Sequence, residues 1–257
     1  MLKGKVIVNF GDSIFGNFRA PEDISSYLSD ITGAKTYNVG FGGCRMGEHK
    51  LPQFDRFSMY RLAGSVVSRD FSLQDESFSY EPIGEALPDY FRGSLEILKS
   101  IDFRTVDIIT IAYGTNDYTA KMPLDNANDR YDIKSFGGAL RYSIETLRKA
   151  FPKIKIVICS QLYRFWRDSD GNFTEDSDTR VLGDHMLSDF MRKTKEIADE
   201  YGLYYLDNYN GSGICKNNID VCFSKTDGSH PLPAGRIMIA QNMAKELALA
   251  CSDKNSL

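Results

Sequence analysis

An α/β fold built on a parallel sheet is what the sequence predicts. Two observations carry the prediction. Short β-branched runs recur at residues 6–10, 36–39, 106–112, 154–160 and 203–206, and longer segments with helical signals separate them. Several of the runs also end on polar, glycine-containing loops, which is where open parallel sheets gather function. In chain order, residues 22–31 read as the first helix, with Pro21 at its start and Gly33 after its end. Residues 44–105 form too long a connection for neighbouring strands, so helices of their own are expected at about 54–67 and 88–100. The last segment opens at Pro233 and carries one apolar stripe, Ile237, Ala240, Met243, Ala244 and Leu247, with Met238 and Met243 read as core packing.

At 257 residues the chain can bury one large core. No Pro/Ser-rich spacer, like-charge block or fixed-period repeat divides it, so residues 1–257 are expected to form a single domain with a helical insertion at about 44–105. The net charge of -4 arises from 35 acidic and 31 basic residues that are well interleaved. Such a surface has no basic footprint for nucleic acid and no polybasic membrane patch. The chain begins on a strand-like pattern without a signal-peptide profile and contains no run of membrane-spanning length, which predicts a cytoplasmic location. Five cysteines, Cys44, Cys159, Cys215, Cys222 and Cys251, lack metal-type spacing and suit free thiols; only Cys215 and Cys222 are near enough in sequence to suggest a bridge.

The loops carry the chemistry. Gly11-Asp12-Ser13, Asn38-Val39-Gly40-Phe41-Gly42-Gly43 and Gly114-Thr115-Asn116-Asp117 each follow a predicted strand, and Asp227-Gly228-Ser229-His230 leads into the last helix. Acyl transfer by a serine hydroxyl needs a base, a group that orients the base, and donors for the oxyanion. Of three histidines, only His230 follows an acid at a spacing that lets one loop aim Asp227 at the imidazole. The candidate set is Ser13 as nucleophile, His230 as base, Asp227 as its orienter, and the Ser13 N–H, the Gly43 N–H and the Asn116 amide as donors. Gly40 and Gly42 lie close enough that a shifted register would exchange the glycine. For Asp12 and Ser13 the competing reading is a plain helix cap or Asx turn. Asn116 with Asp117 could likewise be a cap.

These four segments resemble blocks I, II, III and V of the SGNH (GDSL) hydrolase family, through G-D-S, N-x-G-x-x-G, G-x-N-D and D-x-x-H in that order, almost end to end. The resemblance implies a three-layer α/β/α sandwich with a five-stranded, flavodoxin-like parallel sheet. It also implies ester cleavage through an acyl-serine intermediate without cofactor or metal, with Ser13, Asp227, His230, Gly43 and Asn116 in the roles above. Cys44 departs from the pattern, since the position after the second-block glycine is commonly small and polar or acidic in the family.

Other features read blandly. His49 and His185 are surface or packing residues, His185 within a helical segment. Residues 168–176 fail the EF-hand pattern, because Phe173 stands where glycine is required, and read as a solvated turn. Gly42-Gly43 lacks the setting of a phosphate loop. Arg45 is by default a surface arginine, with the cleft as the alternative. Tyr163, Phe165 and Trp166, beside Arg164 and Arg167, form either a platform for a sugar ring or the edge of the core. The function read from the sequence is an acetyl esterase acting on small or carbohydrate-borne esters. The alternatives are a lysophospholipase or thioesterase, and a silent domain that binds glycan or partner.

Overall fold

The computed structural model describes residues 2–79 and 81–252. Five strands form one sheet: β1 Val6–Gly11, β2 Lys35–Gly40, β3 Ile108–Ala112, β4 Lys155–Cys159 and, last in sequence, β7 Tyr204–Leu206. Their order across the sheet is β2-β1-β3-β4-β7, all parallel, the flavodoxin-like order. Both faces of the sheet are covered, so β1 is apolar almost throughout instead of alternating, with Ile7, Val8 and Phe10 fully buried. On one face Val8, Phe10, Ile109, Ile111 and Ile158 pack with the helices Met59–Ser68, Tyr90–Ser100, Phe136–Ala150 and Leu187–Glu200. On the other, Ile7, Ile108, Val157 and Leu206 meet the helices Ile24–Thr32 and Pro233–Ser252. The result is three layers. Two polar side chains meet mid-sheet, and their needs are met: Asn9 donates to Ser25 Oγ at 2.8 Å and accepts from Thr110 Oγ1 at 2.7 Å.

The register places the chemistry. Gly11 of β1 pairs level with Gly40 of β2 and with Ala112 of β3, so the loops beginning at Asp12, Phe41 and Tyr113 leave the sheet along one line. Gly40 also permits the close approach of the first loop to the second, since a β-carbon there would stand 2.6 Å from the Gly16 nitrogen.

Several elements differ from the sequence expectation. The first helix is capped by Asp23, whose carboxylate accepts from the Ser25 and Ser26 N–H groups at 2.9 and 3.1 Å, so Pro21 precedes the helix instead of opening it; Gly33 closes it at φ 69° as expected. The helix expected at 54–67 is two, Pro52–Asp55 and Met59–Ser68. It breaks because the Met59 and Tyr60 N–H groups go to the Arg45 and Met46 carbonyls at 2.9 and 3.3 Å, docking the second piece on the loop after β2. In the final helix Ile237 is 37% exposed and Ile239 takes the core position instead. This helix packs on two sides, against the sheet and against Ile24–Thr32, and a single stripe is a poor guide to such a helix.

Residues 168–176 belong to a β-hairpin absent from the sequence reading: β5 Phe165–Arg167 pairs antiparallel with β6 Phe173–Asp176. Its turn consumes the Asp168 carboxylate, which accepts from the Asp170 and Asn172 N–H groups at 3.0 and 2.8 Å and from the Asn172 amide at 3.1 Å. His185 lies in a turn paired with Leu182, before the helix Leu187–Glu200 and not within one. His49 accepts from the Leu51 N–H at 3.0 Å, and burial lowers its pKa to about 4, keeping the ring neutral. All five cysteines are free thiols, Cys215 and Cys222 included. Among the described residues no helix is long and apolar enough to cross a membrane.

Candidate active site

The first loop answers both readings of Gly11-Asp12-Ser13. Asp12 caps the short helix Ser13–Gly16, its carboxylate accepting from the Ile14 N–H at 3.0 Å. Burial pushes its pKa up to about 6, opposed by the Ile14 N–H and the nearby His230. Ser13, the first helical residue, points its hydroxyl outward, with Oγ 2.8 Å from His230 Nε2. Its own N–H, in the first turn, has no intrahelical acceptor. The turn is pinned from β2: Asn38 donates to the Phe15 carbonyl at 2.8 Å and to Asp23 at 3.1 Å.

His230 and Asp227 share one turn before the last helix. His230 Nδ1 lies 2.6 Å from Asp227 Oδ2, while Oδ1 accepts from the Ser229 and His230 N–H groups at 2.8 and 3.1 Å. A carboxylate can only accept, so it keeps the imidazole proton on Nδ1 and leaves Nε2 to accept from the Ser13 hydroxyl. The electrostatics agree. Partial burial pushes Asp227 up, but the hydrogen bonds from the His230 ring and the Ser229 N–H outweigh it and hold the carboxyl at about 2. His230 is raised above its ordinary value, chiefly by the hydrogen bond to Asp227.

Three glycines compete for the oxyanion role, and their hydrogen bonds separate them. The Gly40 N–H goes to the Asn38 side chain at 3.1 Å, and the Gly42 N–H goes to the Tyr90 hydroxyl at 2.8 Å. Gly43 is exposed, has φ 75° and, among the described residues, donates its N–H to no acceptor. Asn116 spends one amide hydrogen on the Cys44 carbonyl at 2.8 Å, which fixes the side chain and leaves its second hydrogen open. Cys44 thus contributes through its backbone; its thiol is buried, and burial raises its pKa well above the usual range.

Two supporting residues escaped the sequence reading. Asp117, taken there only as a cap neighbour, is fully buried and accepts from the Met46 and Gly47 N–H groups at 3.0 and 3.1 Å, tying the third loop to the second. Burial pushes its carboxyl up to about 6 against those two N–H groups. Tyr90, on the insertion, accepts from the Gly42 N–H and donates to Asn17 at 2.9 Å, and no local motif marks it. Arg45 is half-buried and not a surface residue; it reaches the Glu48 carbonyl at 3.3 Å. The sugar platform is not formed: Tyr163 and Phe165 lie in the core, and the Arg164 and Arg180 guanidiniums sit over the Trp166 ring, 4.5 and 4.9 Å from its centroid.

A carboxylate that orders an imidazole, which in turn holds a serine hydroxyl, is the arrangement by which serine hydrolases transfer acyl groups. On the rim of a flavodoxin-like sheet it defines a class of serine acyl-hydrolases. The model of the GDSL-like Lipase/Acylhydrolase family matches residues 7–243, and the chain belongs to that family, whose members are hydrolases. Solved structures agree on the fold. A protein from Lactobacillus plantarum is 20% identical over 97% of this chain and 99% of its own, with TM-score 0.66. A possible lipase from Chitinophaga pinensis is 16% identical over 96% and 99%, with TM-score 0.59. The native aryl esterase of M. smegmatis is 14% identical over 96% and 100%, also with TM-score 0.59. A search among curated proteins finds no match.

Proposed function

We propose that the protein is a serine esterase that cleaves small or carbohydrate-borne carboxylic esters, acetyl esters foremost, through an acyl-serine intermediate. The observation that carries the reading is the Ser13–His230–Asp227 chain of hydrogen bonds at 2.8 and 2.6 Å. Ser13 Oγ attacks the ester carbonyl as its proton passes to His230 Nε2. The carbonyl oxygen becomes an oxyanion among the Ser13 N–H, the Gly43 N–H and the free Asn116 amide hydrogen. The imidazolium then returns its proton to the departing alkoxide oxygen, leaving an acyl-serine and a free alcohol. Water, deprotonated by the same imidazole, attacks the acyl carbon and releases the carboxylic acid, restoring the hydroxyl. Asp227 stabilises the imidazolium in both halves without taking its proton.

Preference for a short acyl group is supported by the surroundings: Gly43 is exposed, Asn116 is half-exposed, and the cleft that reaches Asp227 carries Arg164, Asp227 and Ser229 beside Phe165 and Trp166, unlike a long apolar channel. A lysophospholipase or long-chain thioesterase would need such a channel. Hydrolysis of p-nitrophenyl esters from acetyl to dodecanoyl decides the matter. The expected order falls with chain length, and highest kcat/KM on the longest acyl group would reverse the assignment. Asn116→Ala is expected to lower kcat on p-nitrophenyl acetate by about a hundredfold, since one oxyanion donor is lost while two remain. Parental activity in that variant would remove Asn116 from the oxyanion site. The five free thiols suit action in a reducing, intracellular compartment.

A further inference from the structure

A cleft of about 450 Å³ runs between the hairpin turn at residues 168–171 and the loop at residues 225–229, where it reaches Asp227, the partner of His230. Arg164 forms part of its wall, together with Trp166, Lys225, Asp227 and Ser229. The other arginines of this region have carboxylate partners: Arg167 pairs with Asp220 at 2.5 Å and donates to the Gly171 carbonyl at 2.6 Å, although its Nε is buried without a hydrogen-bond partner, and Arg180 pairs with Glu175 at 3.4 Å. Arg164 differs. Among the described residues no carboxylate lies within 4.0 Å of its guanidinium, and its buried Nε has no hydrogen-bond partner. A buried, unmatched donor on a cation is costly, and most such groups in native proteins have a partner.

The position of Arg164 is also well held. Its backbone N–H donates to Ser177 Oγ at 2.9 Å, and its carbonyl accepts from the Ser177 N–H at 3.0 Å and hydroxyl at 2.9 Å; Ser177 is fully buried. The guanidinium rests over Trp166 and lies close enough to Asp12, Asp227 and His230 to act on the charge of each. Of the acids that line the cleft, Asp227 is engaged by His230 and Asp168 by its own turn, and Asp170, which is exposed, stands more than 4.0 Å from the guanidinium.

We propose that Arg164 is a specificity-determining residue that binds an anionic group, a carboxylate or a phosphate, carried on the alcohol portion of the ester. The inference rests on the esterase reading above. The alcohol side is indicated because His230 must protonate the leaving oxygen, and the cleft reaches the loop that carries His230, whereas Gly43 and Asn116, two of the three oxyanion donors, stand on the loops after β2 and β3. A planar guanidinium offers paired donors that match carboxylate or phosphate geometry.

The test compares 4-acetoxybenzoate, whose leaving group is an anion, with neutral 4-acetoxybenzamide. Both are assayed with the parent protein, Arg164→Gln and Arg164→Lys. The ratio of kcat/KM for the anionic over the neutral ester is expected to fall by roughly tenfold to a hundredfold in Arg164→Gln, the scale of a charge-assisted contact. It should recover in part in Arg164→Lys and decline with added salt. Because the ratio is taken within each variant, a general loss of stability or activity cancels. If both esters are cleaved and Arg164→Gln leaves the ratio at the parental value, the proposal is overturned and the esterase reading stands. If the parent cleaves neither ester, the reading and the inference fall together.

Discussion

Ser13→Ala is expected to abolish nearly all hydrolysis of p-nitrophenyl acetate, a fall of several thousandfold or more, on the scale at which removal of a serine nucleophile acts. Among the described residues the hydroxyl is the one group that His230 Nε2 holds, at 2.8 Å, and alanine removes the proton it would take. The fold should survive. Ser13 is half-exposed, and the cap of its helix belongs to Asp12, so an unchanged thermal unfolding midpoint is expected beside the lost activity. Fluorophosphonate labelling followed by peptide mapping gives the complementary readout. Modification should fall on Ser13 in the parent and vanish in the variant, and labelling at another serine would overturn the site assignment.

The second large effect is expected for Asp227→Asn, a loss of kcat on the order of ten-thousandfold, because a neutral amide no longer enforces the Nδ1–H tautomer. Its pH profile carries further information. The base must be neutral to act, so raising the His230 pKa moves the acid limb of kcat/KM upward. In the parent that limb should lie above the ordinary imidazole value of 6.5, since the hydrogen bond to Asp227 raises the ring. With asparagine in place the hydrogen bond and charge of Asp227, the chief raising causes, are gone, and partial burial and Arg164, which lower the imidazole, are left against Asp12 alone. The residual activity should therefore show an acid limb displaced to lower pH. A limb that stayed in place would mean that a group other than His230 sets it.

Much of this site was legible before any coordinates. Ser13 and Asn116 stand in loops that follow apolar runs, Asp227 and His230 in the loop that leads into the last helix, and local pattern marks such loops well. The choice among Gly40, Gly42 and Gly43 was not legible, because it depends on which N–H groups are already spent. Tyr90, 48 residues from Gly42 in sequence, takes one of them, and no local signal announces that contact. Asp117 was visible as a residue but not as the tie to Met46 and Gly47, some 70 residues away. The aromatic run at residues 163–166 misled for a related reason: aromatic content speaks for burial and for ligand platforms equally, and only packing tells them apart.

What the sequence determined by itself was whatever depends on neighbours a few residues away. This includes the strand runs, the Asp12 cap, the glycine at the end of the first helix, and the turn that sets Asp227 against His230. Tertiary structure alone decided which of these short pieces meet. The parallel sheet brings Gly11, Gly40 and Ala112 level, and it carries a hydroxyl near the amino terminus to an imidazole 217 residues on. The physical reason is that pairing across a buried sheet is set by the summed burial of its two apolar faces, a long-range quantity that no short window of sequence contains.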